Sequence, residues 1–247
     1  MLNVAVLGFG KMGKVYAQCF SNNPNTTLVG VYNHNDKRRQ ELTELYPSTK
    51  YYTDWKALVD DPEIHVVGIC TSTDQRFEQM KYCMEKGKHI ICEKAMCLDV
   101  NQAQQILDLA KKTDCCVQVA SELELHPVIE AVTQNLPSIG KVVYAEMELS
   151  MYREEVKWKH KMNAGGGILR ELGQHFLDVA SNWFGTPIKV TGFNKIVLPQ
   201  RETEDVAVNV VQFDSGVMLL LKNNYFLILF YSIMIDYSFL LGAKLIL

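Results

Sequence analysis

The chain carries no excess of positive charge. Its 25 Lys and Arg face 28 Asp and Glu, for a net charge of −3, which argues against the basic surface a nucleic-acid-binding protein presents. It has no C-x-x-C pair. The seven cysteines, Cys19, Cys70, Cys83, Cys92, Cys97, Cys115 and Cys116, are odd in number and sit mostly in apolar runs. That pattern disfavours a disulfide framework and a metal site, and predicts reduced thiols in a cytoplasmic protein. No charged-then-apolar leader opens the sequence, because Met1 runs straight into an apolar stretch, so no secretory signal is expected. At 247 residues the chain is long enough for a full core and for two domains.

What is present in the first 120 residues is an alternation. Apolar strand candidates at 2–7, 27–32, 64–70, 88–92 and 115–119 are separated by helical patterns near 11–22, 36–45, 75–86 and 99–112. Short buried strands joined by helices imply a parallel sheet covered on both faces, an α/β doubly wound Rossmann domain over residues 1–120. Asp99 is placed to cap a helix and Gly87 to stop one. After residue 120 the rhythm changes. Val142–Met151 alternates apolar and polar side chains, 168–182 reads as a helix, and 188–198, 205–213 and 216–222 read as strands. This predicts a second, α+β domain over 121–222, built on a mostly antiparallel and incomplete sheet.

Residues 223–247 lack turn signals except Gly242 and carry only Asp236 and Lys244 as charges. The run is long enough to span a bilayer, but Asp236 near its middle would cost roughly 2.5–3.5 kcal/mol. We read it as an atypical apolar tail outside the fold rather than a membrane anchor, replacing strands lost by truncation or a reading-frame change near Lys222.

Two motifs carry chemistry. Gly8-Phe9-Gly10-Lys11-Met12-Gly13 follows the first strand and opens a helix. In this G-x-G-x-x-G spacing Gly8 permits the tight turn, Gly10 lets backbone approach a pyrophosphate, and Gly13 lets the helix pack on the sheet. The helix start adds N–H groups and a positive dipole end for phosphate. An acid that bonds the NAD ribose normally stands about 20 residues on; here strand two ends at Asn33, followed by Lys37, Arg38 and Arg39. A neutral amide does not repel a 2′-phosphate and Arg38 could pair with one, so NAD(P) is expected with a slight lean to NADP. The second motif, Gly165-Gly166-Gly167, leads a helix with Glu171, His175 and Asp178, spaced to share one helix face. The glycines would allow close approach to a ligand, and a histidine titrating near neutrality suits proton transfer from an alcohol.

These motifs, with Cys92-Glu93-Lys94-Ala95 between them, resemble the glucose–fructose oxidoreductase / inositol dehydrogenase (Gfo/Idh/MocA) family over residues 1 to about 222. The resemblance implies a nicotinamide-dependent oxidoreductase acting on a sugar, polyol or related small molecule, with full-length relatives forming homo-oligomers. It puts Lys94, Glu171 and His175 around the reacting carbon: His175 as acid/base, Lys94 on the developing alkoxide, and Glu171 orienting or relaying protons. Thr71, Glu93 and Lys94 would line the cofactor together with the glycine loop. Four departures stand out. Glu171 replaces the family's Asp, Ala95 replaces a proline, Ser72 replaces another, and Arg76 stands where a histidine is frequent. Without proline a cis bond after Lys94 costs about 2.5–4 kcal/mol, so Lys94 is expected to be held differently. Near His126-Pro127 relatives often place an arginine, which is absent here and leaves Glu124 and His126 as weaker candidates for substrate contact, and Trp158 resembles the family tryptophan before the glycines. A dinucleotide-binding sensor without catalysis, or an inactive truncated relic, is the alternative.

Overall fold

The computed structural model describes residues 1–152 and 158–226. The chain divides into two compact units, Met1–Ala120 and Ser121–Leu247.

In the first unit six parallel strands run in the order β3-β2-β1-β4-β5-β6. They are β1 (Leu2–Leu7), β2 (Thr26–Tyr32), β3 (Lys50–Tyr52), β4 (Val66–Ile69), β5 (His89–Cys92) and β6 (Val117–Val119). The chain steps from β1 out to β3, crosses back to β4 and steps out again to β6. The loops after β1 and β4 therefore diverge at the switch point where doubly wound sheets bind ligands. The helices are α1 (Lys11–Asn22), α2 (Lys37–Leu45), α3 (Trp55–Val59), α4 (Thr73–Glu85) and α5 (Val100–Ala110). Strand β1 explains why the runs are continuous rather than alternating. Ala5 and Leu7 pack with Val67, Ile69, Met80 and Ile90 on one face, while Val4 and Val6 pack with Ala17, Val31 and Leu42 on the other. Each buried Val, Leu, Ile or Met among them contributes about 1.5–3 kcal/mol. Asp99 caps α5 by accepting from the Gln102 N–H, and Gly87 turns the chain after α4 at φ +69°.

In the second unit a four-stranded sheet runs β7-β10-β9-β8. Its strands are β7 (Tyr144–Ser150), β8 (Pro187–Lys195), β9 (Val206–Phe213) and β10 (Met218–Asn224). The β8–β9 and β9–β10 pairs are antiparallel, and β10–β7 is parallel. Helix α6 (Pro127–Asn135) precedes β7. A π-helical turn, Leu169–Gly173, leads into α7 (Gln174–Phe184). Phe176, Val179, Ala180 and Phe184 of α7 cluster with Val211, Phe213, Leu219 and Leu221 on the inner face of the sheet. The outer face leaves Phe193, Val208, Val210 and Met218 exposed.

The expected end of the domain at residue 222 is corrected. Strand β10 continues through Asn224, and Tyr225 is fully buried. The sequence put Asn223 and Asn224 at the start of the tail, but their side-chain amides bond across to β7. Asn223 Nδ2 donates to the Leu149 carbonyl at 3.0 Å, and Asn224 Nδ2 to Ser150 Oγ at 2.7 Å. The remainder of the expected tail, 227–247, lies outside the described residues. Among the described residues no helix is long and apolar enough to cross a membrane.

Candidate functional site

The three loop glycines lack side chains for different reasons. Gly8 has φ +93°, and a Cβ there would come within 3.0 Å of the Cys70 carbonyl. A Cβ on Gly13 would lie 1.8 Å from the Gly8 carbonyl oxygen, because α1 packs directly on the loop. Gly10 has an ordinary φ of −84°, and a Cβ there would meet nothing within 4 Å. Among the described residues no contact accounts for glycine at that position. Gly10 is also the N-cap of α1, with no side-chain capping bond, so Lys11, Met12 and Gly13 form the first turn of a helix with the anion-binding end uncapped.

Asn33, at the end of β2, braces this loop. Its Oδ1 accepts the N–H of the buried Phe9 at 3.0 Å, and its Nδ2 donates to the Asn35 carbonyl at 3.2 Å. Its own carbonyl accepts the Tyr51 hydroxyl at 2.7 Å. Arg38, on the first turn of α2, is bonded to Glu41 at 2.8 Å, and Lys14 of α1 pairs with the same carboxylate. These two cations hold Glu41 below the usual carboxylate range.

The loops after β4 and β5 bring the remaining first-unit residues to the same carboxyl ends of the strands. The Thr71 hydroxyl donates to Gln79 Oε1 at 2.6 Å. Glu93 is buried at 5% exposure. Burial, and secondly the Glu93 carboxylate bonded to it, push the Tyr16 phenol well above its usual range. Burial also pushes the Cys92 thiol up to about 12, an inert structural cysteine. Lys94 is half-buried, and the Lys94–Ala95 peptide is cis although no proline follows. Arg76 of α4 donates to the carbonyls of Thr71, Glu93 and Ala95.

In the second unit two glycines of the triplet make room for other parts of the same unit. A Cβ on Gly166 would lie 2.3 Å from the Lys159 carbonyl, and one on Gly167 would lie 2.6 Å from the Glu204 carboxylate. The glycines admit the chain's own 159–161 turn and Glu204, which caps the helix start by accepting the Leu169 N–H at 3.1 Å. Glu171 is buried, with one carboxylate oxygen on Lys159 and the other accepting the Tyr225 hydroxyl at 2.5 Å. His175 lies one turn on, its side chain 13% exposed and its Nε2 4.0 Å from Glu122 Oε1. Asp178 accepts the Ser121 hydroxyl. The three side chains meant to share a face thus have separate partners. The π turn between Glu171 and His175 changes the angular step that an α-helix would give.

His126 caps α6, its Nδ1 accepting the Val128 N–H at 3.3 Å, and Glu124 accepts from Asn182. Burial, and secondly the Asp178 charge, raise the Glu124 carboxyl. Trp158 is 36% exposed, with the Lys159 ammonium 5.6 Å from its ring centroid. Lys159 and Tyr225 went unnoticed in the sequence. Lys159 had a signal in its place beside Trp158, whereas Tyr225 lay inside the run read as tail.

Residues 2–121 match the oxidoreductase family described by its NAD-binding Rossmann fold, and residues 137–230 match the GFO/IDH/MocA C-terminal domain. An uncharacterized oxidoreductase of Schizosaccharomyces pombe is 27% identical over 220 residues, which cover 83% of this chain and 58% of that protein. Myo-inositol 2-dehydrogenase of Thermotoga maritima is 23% identical over 238 residues, or 90% of this chain and 68% of that one. The solved structure of an NAD-binding protein from Listeria innocua matches with a TM-score of 0.85 at 22% identity, over 92% of this chain and 68% of the other. The chain therefore spans little more than half the length of the S. pombe relative. With the Rossmann domain matched in its first unit and the C-terminal domain in its second, the chain belongs to the GFO/IDH/MocA oxidoreductase family.

Proposed function

We propose that the protein is an NAD(P)-dependent oxidoreductase that moves a hydride between the nicotinamide and a hydroxyl-bearing carbon of a sugar, polyol or related small molecule. The observation that carries the reading is Gly10. Its missing side chain leaves open space over an uncapped helix start, which is the fit a pyrophosphate requires. Gly8, Phe9, Gly10, Lys11, Met12 and Gly13 would hold the pyrophosphate, with Thr71, Glu93 and Lys94 nearer the nicotinamide. When bound, the cofactor supplies the hydride acceptor or donor. The protein's own part is electrostatic and protonic: Lys94 donates to the substrate oxygen and stabilises the developing alkoxide, and His175 accepts the hydroxyl proton and returns it in reduction. Glu171, held by Lys159 and Tyr225, orients the helix that carries His175.

For the second cofactor phosphate we favour NADP over NAD. Asn33 brings no charge to the end of β2, and Lys14 and Arg38 stand by with Glu41 as their present partner. Fluorescence titration with NADPH and NADH tests both points. Binding of at least one, abolished in Gly10→Val, is expected, and Arg38→Ala should weaken NADPH more than NADH. Well-folded protein that binds neither nucleotide refutes the oxidoreductase reading, and equal effects of Arg38→Ala remove the preference.

A further inference from the structure

Arg76 is 3% exposed, a cation taken almost entirely out of water. Burying a charge is costly, and an apolar side chain of similar size would fill the same space on α4 at less cost. Its hydrogen bonds show what it does instead. Nε and Nη2 donate to the Thr71 carbonyl at 2.8 and 2.6 Å, and Nη1 donates to the carbonyls of Glu93 at 2.8 Å and Ala95 at 2.7 Å. All four go to main chain, and they tie the loop after β4 to the loop after β5. Two of the three carbonyls belong to the residues on either side of Lys94. A planar guanidinium, with donors fixed in a fork, can hold three carbonyls in one geometry; a lysine ammonium on a flexible stem cannot.

We propose that Arg76 is a positioning residue for Lys94. It acts through the backbone, locking the Glu93–Ala95 segment against the Thr71 loop so that the Lys94 ammonium departs from a fixed Cα. The role given to Lys94 rests on the oxidoreductase reading above, but the clamp itself does not. The glycine loop makes none of these bonds, so the clamp is read out at the loops after β4 and β5 rather than at the pyrophosphate site.

The test uses the full chain with Arg76→Lys, which keeps the charge, and Arg76→Ala. Hydrogen exchange read by mass spectrometry needs no substrate. In Arg76→Lys, peptides covering 92–98 and 70–73 should exchange about tenfold faster, as expected when hydrogen bonds to a charged donor are lost, while β1 and β4 keep wild-type protection. Millimolar guanidinium chloride, far below denaturing concentrations, should restore slow exchange in Arg76→Ala. With myo-inositol as the probe substrate, kcat should fall, and guanidinium should recover it. Unchanged exchange at 92–98, or acceleration spread evenly over the unit, overturns the clamp. Local acceleration with wild-type kcat overturns its link to Lys94. If Arg76→Ala does not fold, Arg76→Lys alone decides by the same exchange criterion. Absence of cofactor binding by the wild type would instead refute the oxidoreductase reading and leave the exchange result standing.

Discussion

Replacing Tyr225 by phenylalanine is the most direct probe of where the second unit ends. Tyr225 has 0% exposure, its N–H donates to the Asp205 carbonyl at 3.0 Å, and the Arg201 guanidinium lies 5.3 Å from its ring centroid. Its hydroxyl donates to Glu171 Oε2 at 2.5 Å. Removing only that hydroxyl leaves a buried carboxylate with Lys159 on its other oxygen and one charge-assisted bond fewer. A hydrogen bond to a charged group contributes about 1.5–3 kcal/mol. For a unit of this size about 2 kcal/mol corresponds to a Tm lowered by roughly 8–16 °C. Tyr225→Ala, which also empties the ring's space, should cost about 3–5 kcal/mol. Thermal and urea unfolding followed by near-ultraviolet circular dichroism would measure both. A double-mutant cycle with Glu171→Gln assigns the effect to the pair, since its two changes should be strongly non-additive. A Tyr225→Phe protein within about 0.5 kcal/mol of wild type, or an additive cycle, would refute the reasoning and return residues 223–225 to the periphery.

Three further outcomes are expected. Gly10→Ala should fold with an unchanged apo Tm yet bind NAD(P)H poorly. Gly13→Ala should lose about 1–3 kcal/mol or more by overpacking, because its Cβ meets the Gly8 carbonyl; equal Tm values for the two variants would contradict this. In a catalytically competent protein His175→Ala and Lys94→Ala should each reduce turnover by about 10²–10⁴-fold, His175→Ala at nearly constant cofactor affinity, and near-normal turnover in either would overturn its assigned role. The Tyr52 hydroxyl, the Glu63 N–H and Lys50 hold the Asp61 carboxyl below its ordinary range. A depressed folded pKa contributes stability above the unfolded value near 4 and loses it as pH falls through the folded value. Asp61→Asn should therefore destabilise at neutral pH and converge with wild type in acid; a constant difference in urea midpoint across that range would exclude the linkage.

The elements that could be read from sequence are those whose signals are local. Strand β1 and helix α1 were bounded by the apolar run and the glycine turn, and Asp99 and Gly87 acted at the ends predicted for them. Strand β3 and helix α3 escaped because three and five residues are too short to display a period. For the candidate site residues, the sequence named residue types but not the partners they bond. The glycine triplet signalled close approach, but only the fold reveals that Lys159 and Glu204 are what approaches. Asn223 and Asn224 were left to the tail because the Leu149 and Ser150 groups they bond lie 74 residues earlier. Arg76 was visible as an unusual residue, while its purpose depended on two loops meeting after separate strands.

The brace formed by Asn33 bears on how cofactor choice could change in this lineage. An aspartate at this position would gain a ribose ligand for NAD, and its carboxylate could still accept the Phe9 N–H. It could not donate to the Asn35 carbonyl, and it would set a negative charge against that oxygen, where the amide now places a donor at 3.2 Å. A single mutational step toward NAD would thus also loosen the turn that presents Gly10. On the cofactor reading proposed above, nucleotide preference and loop rigidity depend on the same side chain, so a switch needs a compensating change around Asn35 before it becomes neutral.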